Sequence, residues 1–130
     1  MSVSTFLHLA VSVIGGGLAY LLGGFDLGLR TLFFLTCCDM VTGVGQALYN
    51  GNFSARECAK GIAKKVFMYI TVALAVCIDR FLSGVPIREM TITFYIVSEG
   101  MSNLENIGKV IEYPAKLKAI FEQLKEEKIE

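Results

Sequence analysis

Tyr95-Ile-Val-Ser-Glu-Gly-Met-Ser-Asn-Leu-Glu-Asn-Ile-Gly108 is the stretch on which the fold turns. It continues an apolar run that begins near Met90, yet it carries Glu99, Asn103, Glu105 and Asn106. At 3.6 residues per turn, Tyr95, Glu99, Ser102, Asn103 and Asn106 fall on one stripe of a helix. A polar stripe on a membrane helix cannot face lipid cheaply, so it must meet another helix, a cavity or water. The remainder of the chain reads as a way of assembling such stripes.

Working outward, the composition supports that reading. Hydrophobic residues make up 54% of the 130 residues and charged residues 18%. A soluble domain has about 45–50% apolar and about 25% charged residues. The 12 basic and 12 acidic residues cancel, so no global field recruits nucleic acid or an acidic substrate. Cys37, Cys38, Cys58 and Cys77 form no C-x-x-C pair, and His8 is the one histidine. No metal site, cofactor or catalytic centre is expected from that inventory. His8, alone on an apolar helix, reads as a packing residue.

Four apolar helices are expected, over residues 5–24, 27–49, 66–82 and 88–108. The first, Thr5–Gly24, has no Asp, Glu, Lys or Arg; at about 1.5 Å per residue it spans roughly 30 Å, the thickness of a bilayer's hydrocarbon core. Nothing basic precedes Asp26, which argues for an uncleaved helix over a signal peptide. Gly15, Ala19 and Gly23 fall at every fourth position, and so do Gly43 and Ala47 in the second segment, a spacing that lets helix backbones approach closely in lipid. Asp39 sits near the centre of that segment, with Thr42 following. A carboxylate there costs about 2.5–3.5 kcal/mol on insertion scales, so Asp39 is a functional candidate or a packing determinant.

Residues 50–65 read as a basic loop, with Arg56, Lys60, Lys64 and Lys65 as membrane-flanking cations. Ser54 and Glu57 have the spacing of a capping box, which predicts a short helix from Ala55. Residues 66–82 are short for a span, and the stems of Lys64 and Lys65 could snorkel to extend it. Residues 114–127 form an amphipathic tail, with Leu117, Ile120, Phe121 and Leu124 on one face. The loop and the tail hold nine of the basic residues; Arg30, Arg80 and Arg88 are left for the opposite side. The positive-inside rule therefore predicts a cytoplasmic loop and tail, whether three or four segments span.

Three motifs then resemble one known family, the toxin-secretion and phage-lysis holins (the family-4, TcdE-like holins). Asp39-Met-Val-Thr42-Gly43 resembles its Asp-x-x-Thr-Gly, and Gly61-Ile-Ala-Lys64-Lys65 its Gly-hydrophobic-x-Lys-Lys. Tyr95 to Asn106 resembles its Tyr-Ile-x-x-Glu-Gly-x-Ser-x-hydrophobic-Glu-Asn, and Pro114 to Lys118 its Pro-x-x-Leu-Lys. Ile111-Glu112-Tyr113 departs from the family's connection before the tail. The resemblance implies an all-α, multi-pass protein of the bacterial cytoplasmic membrane. Such a protein accumulates, forms homo-oligomeric holes in the bilayer, releases an endolysin or a toxin as cargo, and collapses the proton gradient. Asp39, Thr42, Glu99, Ser102, Asn103, Glu105 and Asn106 are then expected to line the hole or to bond between subunits. A small proton-coupled transporter or ion channel of four helices is the alternative; neither reading requires an enzyme.

Overall fold

The computed structural model describes residues 1–129, and every regular element in them is helical: α1 (Val3–Leu21), α2 (Leu27–Tyr49), α3 (Ala55–Phe81), α4 (Ile87–Gly108) and α5 (Ala115–Ile129). The tail's Lys125 and Lys128, counted in the topology above, lie outside the residues whose side chains are described. Three of the five, α1, α2 and α3, are long and apolar enough to cross a membrane. At 22 residues α4 matches them in length, but no stretch of it is apolar enough to count with them.

Local chemistry fixes where each helix begins and ends. Ser2 caps α1, Asp26 caps α2 by accepting from the Leu29 amide, and Ser54 caps α3 by accepting from the Glu57 amide. Each supplies an acceptor to a first-turn N–H that has no partner inside the helix. Pro86, at the head of α4, has no side-chain cap to offer. The carboxylate of Asp79, from the end of α3, takes its place and accepts from the amides of Ile87 and Arg88, both at 2.9 Å.

Two expected boundaries move. The segment 50–65 is not a loop throughout: Gly51, with φ of 71°, turns the chain and α3 starts at Ala55, so Arg56, Lys60, Lys64 and Lys65 are helical. At the first turn, α1 ends at Leu21 because Gly23 and Gly24 adopt φ of 80° and 102°, and the Gly24 amide bonds back to the Ala19 carbonyl at 2.7 Å. Gly23 therefore lies beyond the helix, off the stripe of Gly15 and Ala19.

The core is built around α4. It packs along both α2 and α3, which touch each other little. Leu29, Leu32, Met68, Val72 and Ile92 form the buried cluster, with Tyr69, Tyr95 and Ile96 against it. Among these helices the 22–26 and 82–86 connections share one end of the bundle, where Arg88 joins Asp26. The other end holds residues 50–54 and 109–114; there the Asn50 amide group reaches the Lys109 carbonyl at 3.5 Å. The outer helix α1 has no buried residue. Between α4 and α5, the Tyr113 ring lies so close over Gly108 that a Cβ there would come within 2.8 Å of it, so the departing Ile111-Glu112-Tyr113 connection packs back on the end of α4.

Candidate functional site

Halfway along the bundle, the three packed helices bring their charges together. On α3, Lys65, Met68, Tyr69, Val72 and Val76 recur at helical spacing and form its inward face. The Lys65 ammonium sits between the carboxylates of Asp39 on α2 and Glu99 on α4 and donates to both. Asp39 is 12 residues from the start of α2 and Glu99 12 from the start of α4, or about 18 Å along each axis. That is the middle of a bilayer-sized bundle.

Amides and hydroxyls complete the layer. Asn106 donates to Asp39 Oδ1 at 3.0 Å and to Thr42 Oγ1 at 3.1 Å. Asn103 donates to the Leu35 carbonyl at 3.0 Å and to the Glu99 carbonyl at 2.8 Å, and its oxygen accepts from Thr42 at 3.3 Å. One turn away, the hydroxyls of Thr36 and Tyr69 meet at 3.0 Å. Glu99 and Asn103 are each only 7% exposed, and among the described residues no buried side-chain N or O lacks a partner. Where helices have no hydrophobic drive to associate, such bonds each contribute about 0.6 and at most about 1.7 kcal/mol. The layer therefore aligns α2, α3 and α4 and gives most of their polar atoms partners inside the bundle.

The sequence-derived candidates divide accordingly. Asp39, Thr42, Glu99, Asn103 and Asn106 come together in the layer. Ser102 is half-buried beside it, and Glu105 lies on the exposed side of α4. Gly43 faces Asn106, whose amide nitrogen would lie 3.6 Å from a Cβ there, and Ala47 lines a cavity alongside. A Cβ at Gly15 would meet no packing partner within 4 Å among the described residues. Arg56, Lys60 and Lys64 are exposed, and Lys60 pairs with Glu57 at 3.2 Å.

Lys65 is the residue that sequence reasoning misassigned. Grouped with the flanking cations, it instead turns inward with 16% of its side chain exposed. The signal was available: Lys64 and Lys65 stand about 100° apart on a helix, and only Lys65 is in register with the apolar face.

Arg88 was missed too. It is 6% exposed and knits the far end of the bundle. Its Nη1 meets Asp26 Oδ2 at 2.7 Å, Nε meets the Leu22 carbonyl at 2.7 Å, and Nη2 meets the Gly24 carbonyl at 2.9 Å. That guanidinium, with the Leu29 amide, holds the Asp26 carboxyl below the usual carboxylate range. Gly23 leaves room for the arginine; a Cβ there would stand 2.6 Å from its Nε.

Between α2 and α3, towards the 50–54 connection, the helices part around a cavity of about 460 Å³. Asp39, Gly43, Val44, Ala47, Cys58 and Gly61 are among its walls, and Lys65, Ser102 and Asn106 also line it. No group of three His, Cys, Asp or Glu residues among the described residues is placed to hold a metal. All four cysteines are free thiols.

Known proteins resemble this chain over most of its length. The pattern of the bacteriophage holin family matches residues 16–126. An uncharacterized protein of Halalkalibacterium halodurans is 32% identical over 130 residues, covering 95% of this chain and 96% of the relative. An uncharacterized protein of Listeria innocua is 34% identical over 105 residues, covering 78% of this chain and 75% of its own. A probable holin of Bacillus phage phi105 is 32% identical over 100 residues, covering 75% and 73%. No solved structure matches. The chain belongs to the bacteriophage holin family.

Proposed function

We propose that this chain accumulates in the bacterial cytoplasmic membrane and assembles there into homo-oligomeric holes. Those holes release a cell-wall hydrolase or a toxin and collapse the membrane potential. One observation carries the reading beyond family membership: a layer of three charges at mid-depth, closed within a single chain. A chain of this kind can dwell in lipid with its apolar faces outward and most of its polar stripe turned inward. It also holds in reserve the surface that a water-filled hole needs.

Opening is then an exchange of partners. Lys65 leaves Asp39 or Glu99, and the stripe of Asp39, Thr42, Glu99, Ser102, Asn103 and Asn106 turns towards water or a neighbouring subunit. Glu105, already exposed, joins it from the rim of α4. Each unpaired charge is costly in lipid and tolerable in water, so the exchange favours an assembly large enough to hold a lumen. Four crossings, with α4 carried by α2 and α3, put residues 50–54 and α5 on one side, which the basic residues assign to the cytoplasm.

Regulated expression in bacteria tests this, with turbidity and membrane potential followed with and without a cytoplasmic cell-wall hydrolase. A delayed, abrupt loss of potential, with lysis only when the hydrolase is present, is expected. Steady growth with the potential intact would refute hole formation, and export of cationic dyes in such cells would favour the transporter.

A further inference from the structure

The cavity between α2 and α3 is incomplete as a membrane surface. It exposes Asn106, Ser102 and the edge of the Asp39–Lys65 pair at a depth where lipid cannot hydrogen-bond them. The same chain carries a helix with nothing to pack on: none of the 19 residues of α1 is buried, and Gly15, Gly16 and Gly17 have open space around them. Only its last turn is tied down, by Arg80, which donates to the Tyr20 carbonyl at 2.9 Å and stacks 4.3 Å from the Tyr20 ring.

We infer that the cavity receives α1 of a second copy of this chain, with His8 of that helix set against Asp39. Two quantities point to this occupant. The first is charge. Asp39 and Glu99 both turn to the Lys65 ammonium, and the edge of the Asp39 carboxylate lines the cavity. His8 is the one residue of α1 whose side chain can carry a positive charge.

The second is depth. His8 lies 13 residues from the end of α1, and Asp39 lies 12 from the start of α2, on the other side of the same short turn. Both therefore stand about 18–20 Å from that turn. A second copy inserted in the same orientation keeps its His8 at the same level, so its α1 meets the neighbour's layer without sliding. Ser4, His8, Ser12, Gly15 and Ala19 share one face of α1, within about 80°, so the face that brings His8 inward is also slim enough for a helix lined by Gly43, Ala47 and Gly61. Each copy offers one α1 and one cavity. The contact is heterologous, and it propagates to a ring or an open row.

Site-directed disulfides test the docking in membranes of cells that have not lysed. Two differently tagged full-length chains are co-expressed, both with the four native cysteines replaced. One carries Ser4→Cys on the His8 face, and the other carries Val44→Cys in the cavity wall, at matching height. Oxidation is expected to give a heterodimer several-fold more abundant than with Val41→Cys, which lies on the 73% exposed outer side of α2. His8→Leu in the donor chain should reduce that heterodimer several-fold.

Three results would overturn the proposal. Linkage only when both cysteines are on one chain would mean that α1 fills its own cavity. Predominance of Ser4→Cys homodimers would mean that α1 pairs with α1. Equal linkage to positions 41 and 44 would mean collision alone. The docking shares with the proposed function the premise that copies associate in the membrane, but the readouts separate. A heterodimer without lysis would leave the docking standing and remove the hole, whereas lysis without the heterodimer would do the reverse.

Discussion

Two ionic groups tie α4 into the bundle, and they are built to opposite rules. At the bundle's end, Arg88 joins the half-exposed Asp26, its neighbour Glu89 and two backbone carbonyls of the turn before α2. In the middle, Lys65 is held by side chains alone, one on each of two other helices. The end group is anchored to backbone that has nowhere to go, next to water that would replace any bond lost. The central group is anchored to rotatable side chains and has no such substitute. A guanidinium with five fixed donors suits the first task, and a single ammonium on a flexible stem suits the second. The end group is tied to backbone, while the middle group is tied to side chains alone.

The sharpest way to break the comparison is Lys65→Met. It leaves two carboxylates facing each other in the bundle centre, and removing one member of a buried ionic group costs about 3–5 kcal/mol. Accumulation in the membrane should fall, or the loss of potential should come markedly earlier; adding Asp39→Asn and Glu99→Gln to the same chain should restore accumulation. Normal accumulation and timing for the single variant would show that the central group does not hold the bundle closed.

The end group should respond more mildly. Gly23→Ala forces a Cβ into left-handed backbone and onto Arg88; the backbone penalty alone is about 1–2 kcal/mol. A lower Tm in detergent, with unchanged timing in cells, would mark the turn as structural. Acid should act on Asp26. Its folded pKa lies below its ordinary value because of the Arg88 hydrogen bond and the Leu29 amide. Its contribution is therefore fully present above the ordinary aspartate range, near pH 4, and is lost as pH falls through the lowered folded value. Asp26→Asn should flatten that part of the Tm-versus-pH curve. The smallest effect belongs to Lys60→Ala, whose exposed pair with Glu57 contributes about 0.2–0.5 kcal/mol; a larger change would mean that Lys60 has another partner.

Much of this was legible in the sequence because membrane helices leave few choices. Apolar runs of bilayer length, the cap at Ser54, and the stripe from Tyr95 to Asn106 each follow from local chemistry. What stayed hidden depended on direction. Hydropathy could not say which of Lys64 and Lys65 faces inward, because adjacent residues contribute equally to a window but point 100° apart. Arg88 was invisible for a related reason: its partners are carbonyls of Leu22 and Gly24, and a sequence does not show which backbone acceptors a turn leaves free. Gly23 looked like a helix-packing residue, but positive φ at Gly23 and Gly24 ends the helix before it.

The dependence of the core on α4 also sets an order of events. Ribosomes deliver α2 and α3 first, two apolar helices that barely touch each other, one carrying Asp39 and the other Lys65. The helix that both need is made after them. A nascent chain stopped before Glu99 would therefore hold at most a neutral Asp–Lys pair and no core. Every chain passes through that half-assembled stage, so commitment to the finished bundle rests with the last membrane-length helix to leave the ribosome.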